Sequence, residues 1–302
     1  MSYHTNNLVL RSNVIRALRS FFESRGFLEV ETPLLIPANA PEEHIEPCRA
    51  GDRFLHTSPE ICMKRLLCRG HDLIFQICRC WRSGERGSRH VPEFTMLEWY
   101  RANSSYSALM DDCEDLLRHV TETCIDSKSI YYNTKHIVTD HMFERMTVRE
   151  AFRKWSDISM EAAVKNGCFD EIMVTSIEPG IEQATGPVLL MDYPIEMAAL
   201  ARPKPGDATV AERFELYAGG LELANGFSEL NDPVEQRARF LEANRKRTGN
   251  GFQALPLPGP FLSELASMPP SAGIALGVDR LVMLLADAQR IDDVIAFTPE
   301  SL

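Results

Sequence analysis

Two β-rich segments on either side of a short polar loop constrain the fold more than any other feature of the sequence. The first runs from Leu73 to Arg82 and the second from Phe94 to Arg101, and the loop between them contains glycine. Such a pattern is typical of a β-hairpin, whose two strands are antiparallel. We therefore predict an antiparallel sheet that includes this pair.

The remaining segments alternate between helical and strand patterns. Apolar spacing predicts a first helix from Ser12, as its N-cap, to Gly26, and a Thr147-x-x-Glu150 capping box marks a later helix start. Further helices are predicted at 59–69, 107–124 and 234–247, strands at 188–193 and 210–230, and a strand-to-helix passage at 274–285. This mixture indicates an α+β fold. We treat 1–302 as one domain, in which 125–185 is the variable region.

Composition narrows the kind of partner. The 302 residues are 44% hydrophobic and 25% charged, as in ordinary globular proteins. A net charge of −11 disfavours long contacts with a nucleic-acid backbone, so a small molecule or a protein is favoured over tRNA. The sequence has neither a bilayer-spanning apolar run nor a secretory signal pattern. We expect a cytoplasmic protein without membrane contact.

The eight cysteines do not form a recognisable metal motif. They contain no C-x-x-C pair, and no histidine near them has the spacing of a zinc site. Cys78 and Cys80 alternate along a predicted strand and therefore face the same way. We interpret the cysteines as reduced thiols of the core.

One face of the first hairpin carries groups suited to a nucleotide and an amine. Phe94, Glu98 and Tyr100 share that face with Met96, so an aromatic ring could stack on a base while a carboxylate holds an ammonium group. Arg82, at the end of the partner strand, could fork onto a phosphate or carboxylate. The loop adds positive charge for a polyphosphate, although such loops are more often solvated turns: Arg86, Arg89 and His90.

A second hairpin carries two acidic residues. Gly219-Gly220 predicts a two-residue turn in which Tyr217 faces Glu222. Glu215 is then a diagonal neighbour of Glu222, about 7–8 Å away. Two carboxylates at that separation can share Mg²⁺ with a nucleotide. The alternative is a pair of solvent-facing acids on an edge hairpin.

Two later segments could join the same site. Glu229 would face away from Glu222 under strict alternation, and a bulge at Gly226 could bring both to one side. Further along, Gly277 permits close approach of a ligand, and Arg280 would project from the start of the next helix.

The order of these segments resembles the class II aminoacyl-tRNA synthetases. Three segments resemble their motifs 1, 2 and 3, respectively: Ser24–Pro33, Trp81-Arg82 with Phe94–Glu98, and Ala275–Arg280. Motif 1 is the dimer-forming element of that family. Three others resemble the lysyl branch: Thr57–Glu60, Pro92–Tyr100 and Asn225–Asn231.

Within this branch, the sequence is most similar to paralogues that lack an anticodon-binding domain and attach (R)-β-lysine to elongation factor P. The likeness covers nearly the whole chain. Motif 1 begins at Ser24, which leaves room for one helix and no anticodon-binding barrel. Ala275 stands where lysyl synthetases have glycine, and one methyl group in a snug pocket can change which amino acid fits.

The resemblance implies a homodimer that uses ATP and Mg²⁺ to activate lysine or β-lysine as an adenylate and passes it to elongation factor P. It assigns to ATP Arg82, Glu85, Arg89, His90, Phe94, Glu222, Leu223, Gly277 and Arg280, with Arg82 and Arg280 as catalytic residues. It assigns to the amino acid Ser58, Pro59, Glu60, Glu98, Tyr100, Asn225, Glu229 and Ala275, and to Mg²⁺ Glu215 and Glu222.

Motif 2 departs from the family pattern Arg-x-Glu. Gly84 occupies the glutamate position, Glu85 follows one place later, and Val91 replaces an asparagine that contacts adenine in relatives. Either Glu85 substitutes after a small shift of the loop, or ATP affinity is lower than in relatives, or the protein no longer catalyses. Two alternatives therefore remain open. One is a free-standing lysine-activating enzyme with another acceptor, and the other is a non-catalytic paralogue that binds an amino acid or nucleotide and regulates a partner.

Overall fold

The structure, a computed structural model, describes residues 3–302, with side-chain surroundings from Asn6 onward. Its strands are β1 (Leu28–Glu29), β2 (Leu35–Ile36), β3 (Arg49–Ala50), β4 (Arg53–Leu55), β5 (Leu73–Trp81), β6 (Glu93–Ala102), β7 (Ser129–Tyr132), β8 (Lys135–Val138), β9 (Glu144–Thr147), β10 (Val188–Met191), β11 (Pro203–Lys204), β12 (Asp207–Ala211), β13 (Arg213–Ala218), β14 (Leu221–Ser228) and β15 (Ser271–Gly277).

The α-helices are α1 (Tyr3–Ser24), α2 (Glu60–Leu67), α3 (Tyr106–Ile125), α4 (Val148–Trp155), α5 (Met160–Asn166), α6 (Phe169–Ile172), α7 (Glu178–Ile181), α8 (Pro233–Gly249), α9 (Gly259–Glu264) and α10 (Val278–Leu285). A π-helical turn, Met173–Ile177, joins α6 to α7. Short 3₁₀ turns occur at Ile195–Met197, Leu265–Ser267, Ile291–Asp293 and Pro299–Ser301.

An eight-stranded sheet forms the centre of the fold, in the order β1-β5-β6-β15-β14-β13-β10-β9. Its inner pairs are antiparallel, and only the outermost pairs, β1 with β5 and β9 with β10, are parallel. The predicted α+β architecture with an antiparallel sheet is therefore confirmed.

Helices α1, α3 and α10 cover one face of this sheet and form its largest apolar core. Phe22 of α1 stacks on Phe75 of β5, with ring centroids 4.9 Å apart, and its ring lies 5.1 Å from that of Trp99 in β6. Trp99 therefore points into this core. Because side chains alternate along β6, the residues next to Trp99 on that strand point to the opposite face of the sheet. The opposite face of the sheet is therefore available for a site.

The ends of α1 show what local patterns can and cannot predict. Gly26 has a φ of +77°, and Phe27 donates back to the carbonyl oxygen of Phe22 at 3.1 Å, so the predicted helix end is confirmed. The predicted start was wrong, since Ser12 lies inside the helix. Tertiary contact extends this helix toward its N-terminus: the side chain of Asn7 donates to the carbonyl oxygen of Asp293 at 3.0 Å.

The variable region contains the β7–β8 hairpin, β9 and helices α4 to α7. The helices form a second, smaller core with β9, β10 and β13, in which Phe152 stacks on Phe169 with centroids 5.4 Å apart, whereas the hairpin packs in the largest core. The predicted capping box at Thr147 is confirmed by reciprocal bonds with Glu150.

All eight cysteines are unpaired. Within residues 3–302, no helix has both the length and the apolar character needed to cross a membrane.

Candidate active site

Strand β6 places four side chains on one face of the sheet, as its alternation predicts. This face lines a cavity of about 550 Å³, and the β6 residues on its wall are Phe94, Met96, Glu98 and Tyr100. Of the residues predicted to bind ATP or the amino acid, the following line the same cavity: Ser58, Glu60, Arg82, Glu85, Arg89, His90, Phe94, Glu98, Tyr100, Glu222, Leu223, Asn225, Ala275, Gly277 and Arg280.

One side of the cavity is cationic. The Arg82 guanidinium lies 5.1 Å from the Phe94 ring centroid, and its buried Nε has no acceptor among the described residues. Arg280 donates to the carbonyl oxygen of Glu222 at 2.7 Å and to Nε2 of His90 at 2.5 Å. Burial, followed by the Arg280 charge, lowers the pKa of His90, so Nε2 is free to accept. Two guanidinium groups beside a neutral imidazole are suited to a polyphosphate or a carboxylate.

The loop after β5 explains the departure in motif 2. Gly84 has a φ of +79°, a backbone conformation that a glutamate at this position would adopt only with strain. Glu85 comes one residue later and lines the cavity. Its substitution for the motif 2 glutamate stays a prediction. Arg86 is also on the wall, but its guanidinium is held by Glu300 at 2.8 Å and by Asp292 at 3.0 Å. The loop is thus tied to the C-terminal segment.

The second hairpin turns where the sequence predicts. Gly219 and Gly220 have φ values of +61° and +79°, and Tyr217 pairs with Glu222. Both turn positions lie in the left-handed region, which glycine adopts without steric cost. The two-glycine turn therefore sets the local register of β13 and β14.

A bulge in β14 occurs earlier than predicted. The register shifts at Leu223, which becomes an extra residue, so Asn225 faces the same cavity as Glu222. The predicted bulge at Gly226 was wrong. Gly226 continues in regular register opposite Phe214, where a Cβ would come within 2.8 Å of the phenyl ring. Glycine at this position serves core packing, not a change of register.

At the acidic end of the cavity, Glu98 is buried and accepts two hydrogen bonds. Ser58 Oγ donates to Oε2 at 2.7 Å, and the Tyr100 hydroxyl donates to Oε1 at 2.5 Å. Burial, followed by the negative charge of Glu60, raises the pKa of Glu98 to about 8. Because burial disfavours the charged form, a bound cation would stabilise the carboxylate.

Two further buried carboxylates share a single ammonium group. Lys64 is fully buried and pairs with Glu60 and with Glu229, whose Oε2 lies 2.5 Å from Nζ. The other oxygen of Glu229, Oε1, has no hydrogen-bond donor among the described residues. Burial raises the pKa of Glu229, although Lys64 opposes the rise. With Glu98, this end of the site has more acidic groups than cations and is suited to a ligand ammonium group.

Strand β15 passes close beneath these groups. Gly273 lies opposite Tyr100, and a Cβ there would come within 2.2 Å of the Tyr100 ring and 2.5 Å of Glu229 Oε1. Ala275 lies opposite both Glu98 and Asn225, and its methyl group belongs to the cavity wall. A glycine at 273 is therefore required for this packing.

The predicted metal ligands lie on two adjoining cavities. Glu222 belongs to both, whereas Glu215 lines the neighbouring cavity of about 880 Å³. Arg213 donates to Glu215 Oε1 at 2.6 Å, and Tyr193 and Tyr217 donate to Oε2 at 2.5 and 2.7 Å. Burial raises the pKa of Glu215, against the Arg213 charge and with the charge of Glu222. Oε1 retains a lone pair, and the oxygen-only donor set fits a hard divalent cation.

Two other predicted residues take supporting positions. Pro59 is the N-cap of α2, and Glu229 reaches the site from beside Gly273. Sequence reasoning missed Lys64, which the i, i+4 spacing from Glu60 could have indicated. It also missed Gly273.

Glu42 was missed for a different reason: it lies in a loop without a motif. It lines both cavities, and burial raises its pKa to about 7 despite the nearby Arg82 charge. The fully buried Arg247 holds this loop by donating to the carbonyl oxygens of Glu42 at 2.9 Å and Ile45 at 2.6 Å. Only the tertiary structure brings Glu42 to the site.

Comparison with known proteins identifies the family of this chain. The model of the family described as class II tRNA synthetases (D, K and N) matches residues 2–301. The elongation factor P–(R)-β-lysine ligase of Erwinia tasmaniensis is 41% identical over 97% of this chain and 94% of the relative. Proteins of the same name from Salmonella arizonae and Pectobacterium atrosepticum are 40% and 39% identical, over 97% of this chain and 94% and 95% of theirs.

Proposed function

This chain belongs to the class II tRNA synthetases (D, K and N), and within them to the elongation factor P–(R)-β-lysine ligases; on that premise we propose its reaction. The enzyme activates (R)-β-lysine, or lysine, with ATP and transfers it to a lysine side chain of elongation factor P in the cytoplasm. The family and the names of the relatives support the acceptor.

The observation that carries the proposal is the polarity of the cavity. Arg82 and Arg280 lie on one side, and the buried acids Glu60 and Glu98 lie at the other end. Glu229 is fully buried and pairs with Lys64 next to Glu60. A lysine-type substrate carries a carboxylate at one end and an ammonium group at the other. It can therefore place its carboxylate beside the ATP phosphates while its distal amine meets the acids.

In the first step, a carboxylate oxygen of the amino acid attacks the α-phosphorus of ATP in line. The bond to the bridging oxygen breaks, pyrophosphate leaves, and an aminoacyl-adenylate remains bound. A carboxylate is already ionised at neutral pH, so no general base is required. The two guanidinium groups of Arg82 and Arg280 position the reactants and stabilise the charge on phosphorus-bound oxygens. The Phe94 ring provides a stacking surface for adenine.

In the second step, the neutral ε-amine of the acceptor lysine attacks the adenylate carbonyl carbon. The new carbon–nitrogen bond replaces the carbon–oxygen bond to the phosphate, AMP leaves, and the amine releases a proton to solvent. Glu215 and Glu222 would hold a magnesium ion, which supplies charge neutralisation to the phosphates when bound. Positioning of the reactants and stabilisation of charge come from Arg82 and Arg280, and stacking of adenine comes from Phe94.

Pyrophosphate exchange tests this proposal. The purified protein is incubated with ATP, Mg²⁺, labelled pyrophosphate and one amino acid at a time. Exchange that depends on (R)-β-lysine or lysine is the expected result. Exchange that depends on a different amino acid would contradict the proposed substrate. If no amino acid supports exchange, the result would instead favour a non-catalytic regulatory paralogue.

Residue 275 should control the choice between lysine isomers. We expect Ala275→Gly to shift the ratio of specificity constants toward α-lysine, because its methyl group fills space opposite Glu98 and Asn225. A pocket that discriminates by one such group contributes about 1–3 kcal/mol, or roughly 10- to 200-fold. The ratio is measured from the adenylation of both isomers by wild type and variant. An unchanged ratio would show that residue 275 does not line the amino-acid pocket.

The motif 1 segment and the two leucines that follow it are proposed as the contact between two copies of this chain. Leu28, Leu34 and Leu35 are 53%, 40% and 43% exposed, an apolar group that a partner would cover. Light scattering at micromolar concentration should give the mass of two chains, and Leu28→Glu should shift it toward one. Leu241→Glu, at a residue 50% exposed on α8, is the matched control. A wild-type monomer would contradict the proposal.

A further inference from the structure

Beneath the wall of the active-site cavity, four soft ligand groups converge. His56 Nε2 lies 3.8 Å from Cys78 Sγ and 3.8 Å from Cys80 Sγ, and the two sulfur atoms are 4.0 Å apart. The thioether sulfur of Met96 lies 3.9 Å from Cys80 Sγ. Three of these residues, His56, Cys78 and Cys80, form the compact group of potential ligands found in the described part of the chain.

These separations are close to the edges of a metal-centred tetrahedron. With zinc–sulfur bonds of about 2.3 Å and zinc–nitrogen bonds of about 2.0–2.1 Å, a tetrahedron has sulfur–sulfur edges of about 3.8 Å and sulfur–nitrogen edges of about 3.6 Å. The observed distances exceed these values by a few tenths of an ångström. Small side-chain movements would therefore complete the site.

The backbone holds the ligands in place. Cys78 lies directly opposite Met96 in the β5–β6 pair, and Cys80 is on the same face two residues later. His56 follows β4, where its amide donates to the carbonyl oxygen of Leu34 at 2.9 Å and its carbonyl oxygen accepts from Trp81 at 3.0 Å. Main-chain bonds thus fix the elements that carry each ligand, so little ordering is needed on binding.

We propose that His56, Cys78 and Cys80, with Met96 as a weak fourth ligand, bind a thiophilic d¹⁰ cation such as Zn²⁺. Two thiolates and an imidazole form one of the three-ligand sets that bind zinc, and a thioether adds to the preference for soft cations. This site is separate from the carboxylates proposed for Mg²⁺, and it does not depend on the proposed reaction.

Binding exchanges protons for the cation. Each thiol releases its proton and donates a thiolate lone pair to the metal. His56 Nε2 lies 2.7 Å from the Arg79 carbonyl oxygen. On binding, the Nε2 proton moves to Nδ1, and the hydrogen bond to the Arg79 carbonyl oxygen is lost.

Cobalt titration tests the site directly. Reduced, chelator-treated protein is titrated with Co²⁺ under anaerobic conditions, and the absorption spectrum is recorded. We expect one equivalent to produce thiolate-to-cobalt charge-transfer bands and intense ligand-field bands of tetrahedral geometry, which one equivalent of Zn²⁺ abolishes. Zn²⁺ at a free concentration a hundredfold above Kd should raise Tm by about 4 °C.

Serine variants locate the ligands. Cys78→Ser and Cys80→Ser should each abolish the charge-transfer spectrum, whereas Cys62→Ser, a half-buried cysteine on α2, should leave it unchanged. Circular dichroism establishes that each variant is folded. Absence of the bands in folded wild-type protein would overturn the proposal, as would their retention in both Cys78→Ser and Cys80→Ser.

Discussion

Replacing Arg82 by alanine should lower the rate of amino-acid adenylation by about 100- to 1,000-fold, the loss typical of removing one preorganised donor to developing charge. The buried Nε of Arg82 has no acceptor among the described residues, and the guanidinium lies 5.1 Å from the centroid of the Phe94 ring. This side chain is therefore held for a ligand. Arg82→Lys should recover only part of the rate, because lysine lacks the planar fork.

A neighbouring arginine provides the control for this loss. Arg79 lies on β5, three residues before Arg82, but it is exposed, and its nearest acid is Glu93, 3.7 Å away. Arg79→Ala should exchange pyrophosphate at nearly the wild-type rate, because exposed ion pairs contribute little. If both variants lose the same share of the exchange rate, or if Arg82→Ala loses activity because it unfolds, Arg82 has no catalytic role.

Activity toward a cationic amino acid should increase with pH, and Glu98 should be the cause. Burial raises the pKa of Glu98 to about 8, so this carboxyl is largely neutral near pH 7 and ionised above its pKa. The ammonium group of lysine stays charged until about pH 10. The specificity constant should therefore rise between about pH 7 and pH 9, and Glu98→Gln should flatten the profile and lower its plateau roughly 10- to 100-fold.

The same shift has the opposite sign for stability without ligand. The native state retains a proton on Glu98 that the unfolded chain has lost above its ordinary value of 4.5, so this group's contribution to the free energy of unfolding falls as pH rises toward about 8. Thermal stabilisation by lysine should correspondingly grow with pH. Glu93→Gln, at an exposed position of the same strand, is the control. A rising profile that persists in Glu98→Gln would show that another group titrates.

Local rules in the sequence predicted the parts of the site that depend on periodicity. Alternation along β6 placed Phe94 and Glu98 on one face, and the Gly219-Gly220 pair determined the register of Tyr217 with Glu222. These features follow from backbone geometry within a few residues. They are independent of which helices pack against the sheet.

The features that the sequence did not predict depend on contacts between distant segments. The bulge at Leu223 has no sequence signal, since nothing at this residue distinguishes it from an ordinary strand position. Glu42 lies in a loop that the distant Arg247 holds by a hydrogen bond to the Glu42 carbonyl oxygen. His56 joins Cys78 through a separate strand, so spacing rules for zinc motifs do not include it.

Transfer of the amino acid to elongation factor P is the central claim, and intact-mass spectrometry tests it most directly. The enzyme is incubated with ATP, Mg²⁺, (R)-β-lysine and unmodified elongation factor P, and the mass of the acceptor is followed over time. The account predicts a gain of one β-lysyl group that requires ATP, is lost in Arg82→Ala, and disappears when the acceptor lysine is replaced by arginine. An acceptor of unchanged mass, in a reaction where β-lysine supports pyrophosphate exchange, would contradict it.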